Sequence, residues 1–376
     1  MSQRLRVAVL FGGRSGEHEV SLMSAESIMR ALDPEKYEVI PIGITKEGRW
    51  LMGKDPLAAL KAGVADRLAE MIPAAFLTDP ANPGLIAFDP GELAGHQSRL
   101  AFDVVFPALH GPYGEDGTIQ GMLELANIPY VGSGVAGSAV GMDKVLMKAV
   151  FRSAGLPVLD YIVVKRKQLV DRIDQIQEQV AETIGYPCFV KPANLGSSVG
   201  VSKANSPEDL AKALGEAARY DRKILVEKAA VGYREVEVSV LGNDEPKTSI
   251  PGEIVPGGEF YDYRAKYLDD TSELVIPARI SPNAADQVRR LAAAAFLAVD
   301  AAGLARVDFF VHPETEEIFV NEINTMPGFT RISMYPKLWE ATGLPYSRLL
   351  DRLIELALER HRDKNASAVG FEGDSE

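Results

Sequence analysis

The stretch from Arg306 to Ser333, RVDFFVHPETEEIFVNEINTMPGFTRIS, constrains this chain more than any other. It reads as two strands, about 306–312 and 318–324, joined by a Pro/Glu-rich turn. A hairpin centred near Thr315 sets Asp308 opposite Glu322 and Arg306 opposite Asn324. Side chains alternate along a strand, so these four polar groups share one face. Val307, Phe309, Val311, Phe319 and Ile323 then share the core face, and Asn321 falls among them against the pattern. A solvated hairpin with cross-strand ion pairs is the plain reading. Against it, like charges directly opposite one another destabilise a sheet unless a cation lies between them. Asp308, Glu322 and the Asn324 amide oxygen make a donor set suited to Mg²⁺, which takes its remaining ligands from water and substrate phosphates. Arg306 stands beside that face, placed to steady developing negative charge. The strand leaves through the Met326–Thr330 turn, which includes Gly328 and leads to Ser333.

The rest of the chain must supply a partner for such a site. With 376 residues there is length for two or three domains. The net charge of −13 argues against nucleic acid and against an anionic membrane surface as partners. An anionic nucleotide therefore needs a local cluster of Lys and Arg. The single cysteine, Cys188, excludes an internal disulfide and sits in an apolar run as a buried structural residue. No apolar run reaches transmembrane length, and the first residues do not read as a signal peptide, so a cytoplasmic enzyme is expected.

From the N-terminus, residues 6–11 read as a buried strand that turns at Gly12–Gly16 into a helix starting near His18 or Glu19. Strand, glycine turn and helix open a doubly wound α/β unit, without the spacing of a dinucleotide fingerprint or a phosphate loop. Glu19 is either a first-turn acid favoured by the helix dipole or an anchor for a substrate ammonium. Residues from about 56 to 95 look like an irregular insertion. A strand at 102–109 runs into His110-Gly111-Pro112-Tyr113-Gly114-Glu115-Asp116-Gly117, and turns of this kind at strand ends are where open sheets place ligands. A helix from about 143 carries Lys144 and Lys148 one turn apart. Strands at 188–191 and 201–203 flank a glycine-serine loop with Ser197 and Ser198. With Lys191 at its base, that loop is either a phosphate cradle or an ordinary hairpin loop. Glu227 ends a buried strand, and Glu235–Val240 alternates as a half-buried strand with an acidic face. Residues 259–267, aromatic and basic, form a surface loop of the sort that acts as a lid. A helix at 283–302 feeds the hairpin, and 347–362 is a final helix. Three α/β blocks emerge, 1–142, 143–232 and 233–376, with a nucleotide clamped between the last two.

Five motifs in order carry a resemblance: Gly12-Gly13 with Glu17-His18-Glu19-Val20-Ser21, His110-Gly111 with Gly114-Glu115-Asp116-Gly117, Lys191-Pro192 with Gly196-Ser197-Ser198, Tyr261-Asp262-Tyr263 with Lys266-Tyr267, and Asn321-Glu322-Ile323-Asn324 with Pro327-Gly328. With these the chain resembles the ATP-grasp ligases, and among them the D-alanine–D-alanine ligase family. The resemblance implies a three-domain ATP-grasp enzyme with a Rossmann-like N-terminal domain. It would phosphorylate one D-alanine with ATP and join it to a second for peptidoglycan synthesis. It also implies Asp308, Glu322 and Asn324 as ligands of two Mg²⁺ ions, for which Mn²⁺ can substitute. Lys144, Lys191 and Lys266 would lie on the ATP phosphates, with Ser198 in the loop over them, Glu227 at the adenine and Glu235 at the ribose. Glu19 would hold the first ammonium and Ser333 the second carboxylate. Arg306 and the Gly328 amide would stabilise the oxyanion, and Ser197 and Tyr267 would bond to each other and to Glu19 to close the lid. Tyr267 would also favour the amine of D-alanine over the hydroxyl of D-lactate. His110 and Glu115 are further substrate-site candidates, and a homodimer is expected. The chain departs from some relatives at Ala229-Ala230, where they carry bulk against adenine. Two alternatives are another ATP-grasp ligase joining a carboxylate to an amine or hydroxyl, and a non-catalytic ATP-binding regulator.

Overall fold

A computed structural model describes residues 4–64, 68, 70–88, 99–255, 273–330 and 332–368. Three sheets organise them. In the first, Leu5–Gly12 pairs in parallel with Tyr37–Ile44 on one side and Val104–Pro107 on the other. The direction of strand addition reverses there, and the crevice beyond those strand ends is where such sheets bind ligands. The loops Gly12–Glu17 and His110–Gly117 open into it.

The insertion expected at 56–95 is ordered over its described part. Pro56–Ala62 is a helix, and Trp50–Met52, Ile72–Leu77, Gly84–Ala87 and Arg99–Leu100 extend the first sheet with antiparallel strands. These strands are short, and Pro73 and the alanines of IPAAFL thin out the apolar alternation that marks a strand.

The second sheet is antiparallel, in the order Ser202–Ala204, Cys188–Pro192, Lys223–Lys228, Tyr161–Lys165. Helices Ile173–Thr183 and Pro207–Tyr220 cover it through Ile176, Val180, Leu210 and Leu214. Ser206 caps the second helix by accepting from the Asp209 amide at 3.2 Å, with Pro207 at the first helical position.

The third sheet is antiparallel too, with Arg234–Gly242 paired to Gly252–Val255 on one side and to Gly303–Val311 on the other. Arg234–Gly242 is thus a central strand, buried from Val236 onward and not half-exposed. Helices Lys144–Ser153 and Pro282–Ala298 pack beneath it through Met147, Phe151, Val288 and Phe296. The last helix, Tyr346–Asn365, returns to the first sheet. Leu349, Leu350, Leu353 and Ile354 share a core with Val7, Val9, Val104 and Phe106. Phe329 belongs to that core, so the turn leaving the hairpin is held against the N-terminal sheet.

In the hairpin, Arg306 lies opposite Asn324 and Asp308 opposite Glu322, as expected. The register then slips by one residue, and Phe309 pairs with Val320. Asn321 is the extra residue of a β-bulge. A bulge reverses the alternation beyond it, which accounts for Asn321 and corrects the assignment of Phe319. Ile318 and Val320 are the buried residues, while Phe319 turns to the other face with its ring 5.9 Å from that of Tyr233.

Candidate active site

Two adjoining cavities lie along the polar face of the third sheet. The larger, about 480 Å³, lies between the second and third sheets and is lined by Lys144, Lys191, Ser197, Ser198, Glu235, Asp308 and Glu322. The smaller, about 110 Å³, is enclosed by Glu17, Glu115, Arg306, Asn324, Gly328 and Ser333. Lys144, Gly196, Ser197, Glu237 and Glu322 border both, forming the wall between them.

Glu237, Asp308 and Glu322 stand side by side on three adjacent strands. Glu237 was not singled out from the sequence. Its signal was its place on the acidic face of an alternating strand, two residues after Glu235. Arg306 crosses this row. It donates to both Asp308 oxygens at 2.7 Å, and its Nε lies 3.1 Å from Glu237. Burial alone would lower the guanidinium pKa, but Asp308 and Glu237 hold it well above its ordinary value. Lys144 Nζ lies 3.5 Å from Glu322 and donates to the Leu195 carbonyl at 2.8 Å, tying the glycine-serine loop to the wall.

Among the described residues, no group of three or more His, Cys, Asp and Glu is arranged to hold a metal ion, and the Asp308 oxygens are engaged by Arg306. The donor chemistry nonetheless suits Mg²⁺. Asp308 and Glu322 oppose each other on one face with the Asn324 amide beside them, and all three are hard oxygen donors.

Glu19 does not reach the site. Its side chain is 58% exposed and pairs with Lys46 at 2.7 Å. Glu17 takes its place, buried at the head of the helix His18–Ala31 and accepting a hydrogen bond from the Ser197 hydroxyl. Residues two apart at a helix start project to opposite sides, so only one of the two acids could face the crevice. The fit is close, since a Cβ at Gly196 would lie 2.7 Å from the Glu17 carboxylate. Ser197 itself adopts φ 49°, in the left-handed region.

Glu227 also lines neither cavity. It is buried between Lys148, which pairs with its Oε1, and Lys191, 2.7 Å from its Oε2. The residues just after it, Ala229–Val231, line the larger cavity instead. Lys266 and Tyr267 lie outside the described residues.

His110 is a brace and not a contact of either cavity. Its Nδ1 lies 3.0 Å from the Met326 carbonyl, which can only accept, so Nδ1 carries the proton. Nε2 then accepts from Ser24 Oγ at 2.9 Å, and Ser24 Oγ accepts from the Phe329 amide at 3.2 Å. Burial pushes the imidazole pKa down, which keeps this neutral tautomer. The chain of bonds fixes the turn that carries Gly328. Beyond it, Ser333 Oγ accepts from the Thr330 amide at 3.1 Å and lies 2.8 Å from Thr330 Oγ1. Glu115 accepts from the Gly111 amide at 2.5 Å, and burial together with the Glu17 charge drives its carboxyl pKa well up.

Residues 6–133 match the family model described as D-ala D-ala ligase N-terminus, and residues 150–355 match D-ala D-ala ligase C-terminus. The chain is 51% identical over 369 residues to a D-alanine–D-alanine ligase of Natranaerobius thermophilus, covering 98% of this chain and 99% of the relative. It is 52% identical over 363 residues to that of Heliobacterium modesticaldum, covering 96% and 97%. Among solved structures, the D-alanine–D-alanine ligase of Coxiella burnetii superposes with a TM-score of 0.83 at 39% identity, covering 97% of each chain. The VanG D-Ala:D-Ser ligase of Enterococcus faecalis superposes with a TM-score of 0.82 at 34% identity, covering 94% of this chain and all of that one.

Proposed function

The chain belongs to the D-alanine–D-alanine ligase family of ATP-grasp enzymes, and from that premise we propose that it joins two D-alanines, using ATP, for cell-wall synthesis. One observation carries the reading: two cavities share a wall of Lys144, Ser197, Glu237 and Glu322, with Arg306 at its edge. The larger suits a nucleotide and the smaller suits amino acids, so a γ-phosphate and a carboxylate can meet across the wall.

A carboxylate oxygen of the first D-alanine attacks the γ-phosphorus, the bond to the bridging oxygen breaks, and ADP leaves. The amine of the second D-alanine, after losing its proton, attacks the acyl carbon of the resulting acyl phosphate. The tetrahedral intermediate expels phosphate and leaves an amide. Such transfer needs positioning and fixed positive charge more than covalent help from the protein.

Glu17, in the role first given to Glu19, holds the first ammonium. Lys144, Lys191 and Lys266 hold the ATP phosphates, with Ser198 in the loop over them. Ala229–Val231 take the adenine role first given to Glu227, and Glu235 takes the ribose. Arg306 and the Gly328 N–H serve the oxyanion, and Ser333 the second carboxylate. Ser197, bonded to Glu17, closes the glycine-serine loop against water, with Tyr267 as its partner in the lid. Asp308, Glu322 and Asn324, beside Glu237, hold two Mg²⁺ ions. When bound, these neutralise charge on the transferring phosphoryl group. His110 supports this set from behind, and Glu115 faces the substrates from the wall of the smaller cavity.

The site is assigned to the cytoplasm, where ATP is supplied, and the enzyme to a homodimer. No described helix is long and apolar enough to cross a membrane. The test is ADP release over a panel of D-alanine, D-serine, D-lactate and L-alanine, with and without Mg²⁺. D-Alanine with Mg²⁺ should drive release, and Glu322→Ala should remain folded while losing most turnover. Release independent of D-alanine, or near-normal turnover in Glu322→Ala, would contradict the reading.

A further inference from the structure

Beneath the cavity wall lies a charged group that none of the roles above explains. Lys148 follows Lys144 by one turn on the helix Lys144–Ser153, but its side chain is only 1% exposed. It lines neither the ATP cavity nor the smaller one. Its ammonium pairs with Glu227 Oε1 and donates to the Asn321 carbonyl at 3.0 Å. The other Glu227 oxygen holds Lys191, 2.7 Å away, and Lys191 does line the ATP cavity.

A buried ammonium is costly unless paired, and a pair left with one partner costs more than either state. Two lysines and one glutamate leave one positive charge in excess. Lys148 is pinned by the bulge carbonyl and cannot follow a ligand. Lys191, at the cavity, is the member through which the excess can act. Burial would raise the Glu227 carboxyl, but the two ammoniums outweigh it and keep the carboxylate ionised.

We propose that Lys148 is a positioning residue for nucleotide binding: by neutralising Glu227 it leaves the Lys191 ammonium available to the phosphates of ATP. This rests on the assignment of the larger cavity to ATP. Without Lys148, Glu227 would hold Lys191 as its sole counter-ion, and the group would offer no net charge to an incoming polyphosphate. The bond to Asn321 makes the same side chain a tie between the Lys144 helix and the hairpin strand bearing Glu322.

The proposal predicts a split in steady-state constants. Lys148→Met should raise the KM for ATP about tenfold, the scale of one partly screened charge. The KM for D-alanine should stay within about twofold. Removing the carboxylate as well, in Lys148→Met/Glu227→Gln, returns Lys191 to the cavity and should restore the KM for ATP to within about threefold of the unaltered enzyme. Glu227→Gln alone should not raise it by more than that, and this variant carries the test if Lys148→Met does not fold. A purely structural role predicts losses that add. Overturning results are a double variant no better than Lys148→Met, a tenfold rise in Glu227→Gln, or equal rises for ATP and D-alanine. Calorimetric titration of the unaltered protein with ATP and Mg²⁺ separates the two levels. No binding there would overturn the nucleotide assignment itself. Binding with additive losses would overturn only the role of Lys148.

Discussion

The Ser197 hydroxyl donates its hydrogen bond to Glu17, a residue 180 positions earlier in the chain. That bond closes the glycine-serine loop of the second sheet onto the ligand crevice of the first. It brings residues beside two different sheets, Glu17 and Ser197, together in the lining of the smaller cavity. It also identifies which acid of the Glu17-His18-Glu19 run is inside.

The first prediction separates those two acids. Glu17→Gln should lower kcat/KM for D-alanine about thirtyfold or more, since it removes one partner of a buried charge contact. Glu19→Gln should change it by less than about twofold, because an exposed ion pair contributes little. Steady-state kinetics of the two variants decide the matter. Equal losses would return the role to Glu19.

The second concerns the turn after the hairpin. A Cβ at Gly328 would lie 3.0 Å from Ser333 Oγ, inside the smaller cavity. Gly328→Ala should therefore displace the hydroxyl assigned to the second carboxylate. Binding of the second D-alanine should weaken more than that of ATP, with the apparent KM for D-alanine rising about tenfold. An unchanged KM for D-alanine would remove Ser333 from the site.

The third uses His110. Its imidazole pKa lies below the ordinary value of 6.5 because it is buried. As pH falls below 6.5 the unfolded chain takes up a proton that the folded protein refuses. Stability is thus complete above that pH and is lost below it. His110→Gln should cost about 1–3 kcal/mol at pH 7.5 through the broken brace. The gap in melting temperature between the two proteins should narrow from pH 7.5 to pH 5.5. A constant gap would mean that His110 titrates normally.

Much of this site is readable from the chain, and what is not has definite causes. The pairing of Asp308 with Glu322 follows from alternation and the length of the turn. The bulge at Asn321 showed only as a polar residue out of pattern, because one extra residue shifts a register without leaving a composition signal. Phe319 was misassigned for the same reason. Glu19 received the ammonium role from the motif alone, and which acid of the run faces the crevice depends on tertiary contacts that the run itself does not encode. Glu227 stands at the right strand end, but its environment comes from a lysine on a helix about 80 positions away. Glu237 was passed over because its strand looked half-exposed, and only the pairing on both sides buries it.

The central claim is that the γ-phosphoryl group crosses the shared wall to the carboxylate of D-alanine. The most direct measurement uses D-alanine labelled with ¹⁸O in its carboxyl group, followed by mass analysis of the inorganic phosphate released. The account predicts one labelled oxygen in the phosphate and one ADP for each dipeptide formed. Unlabelled phosphate alongside dipeptide would contradict an acyl-phosphate intermediate and the assignment of the wall as the place of transfer.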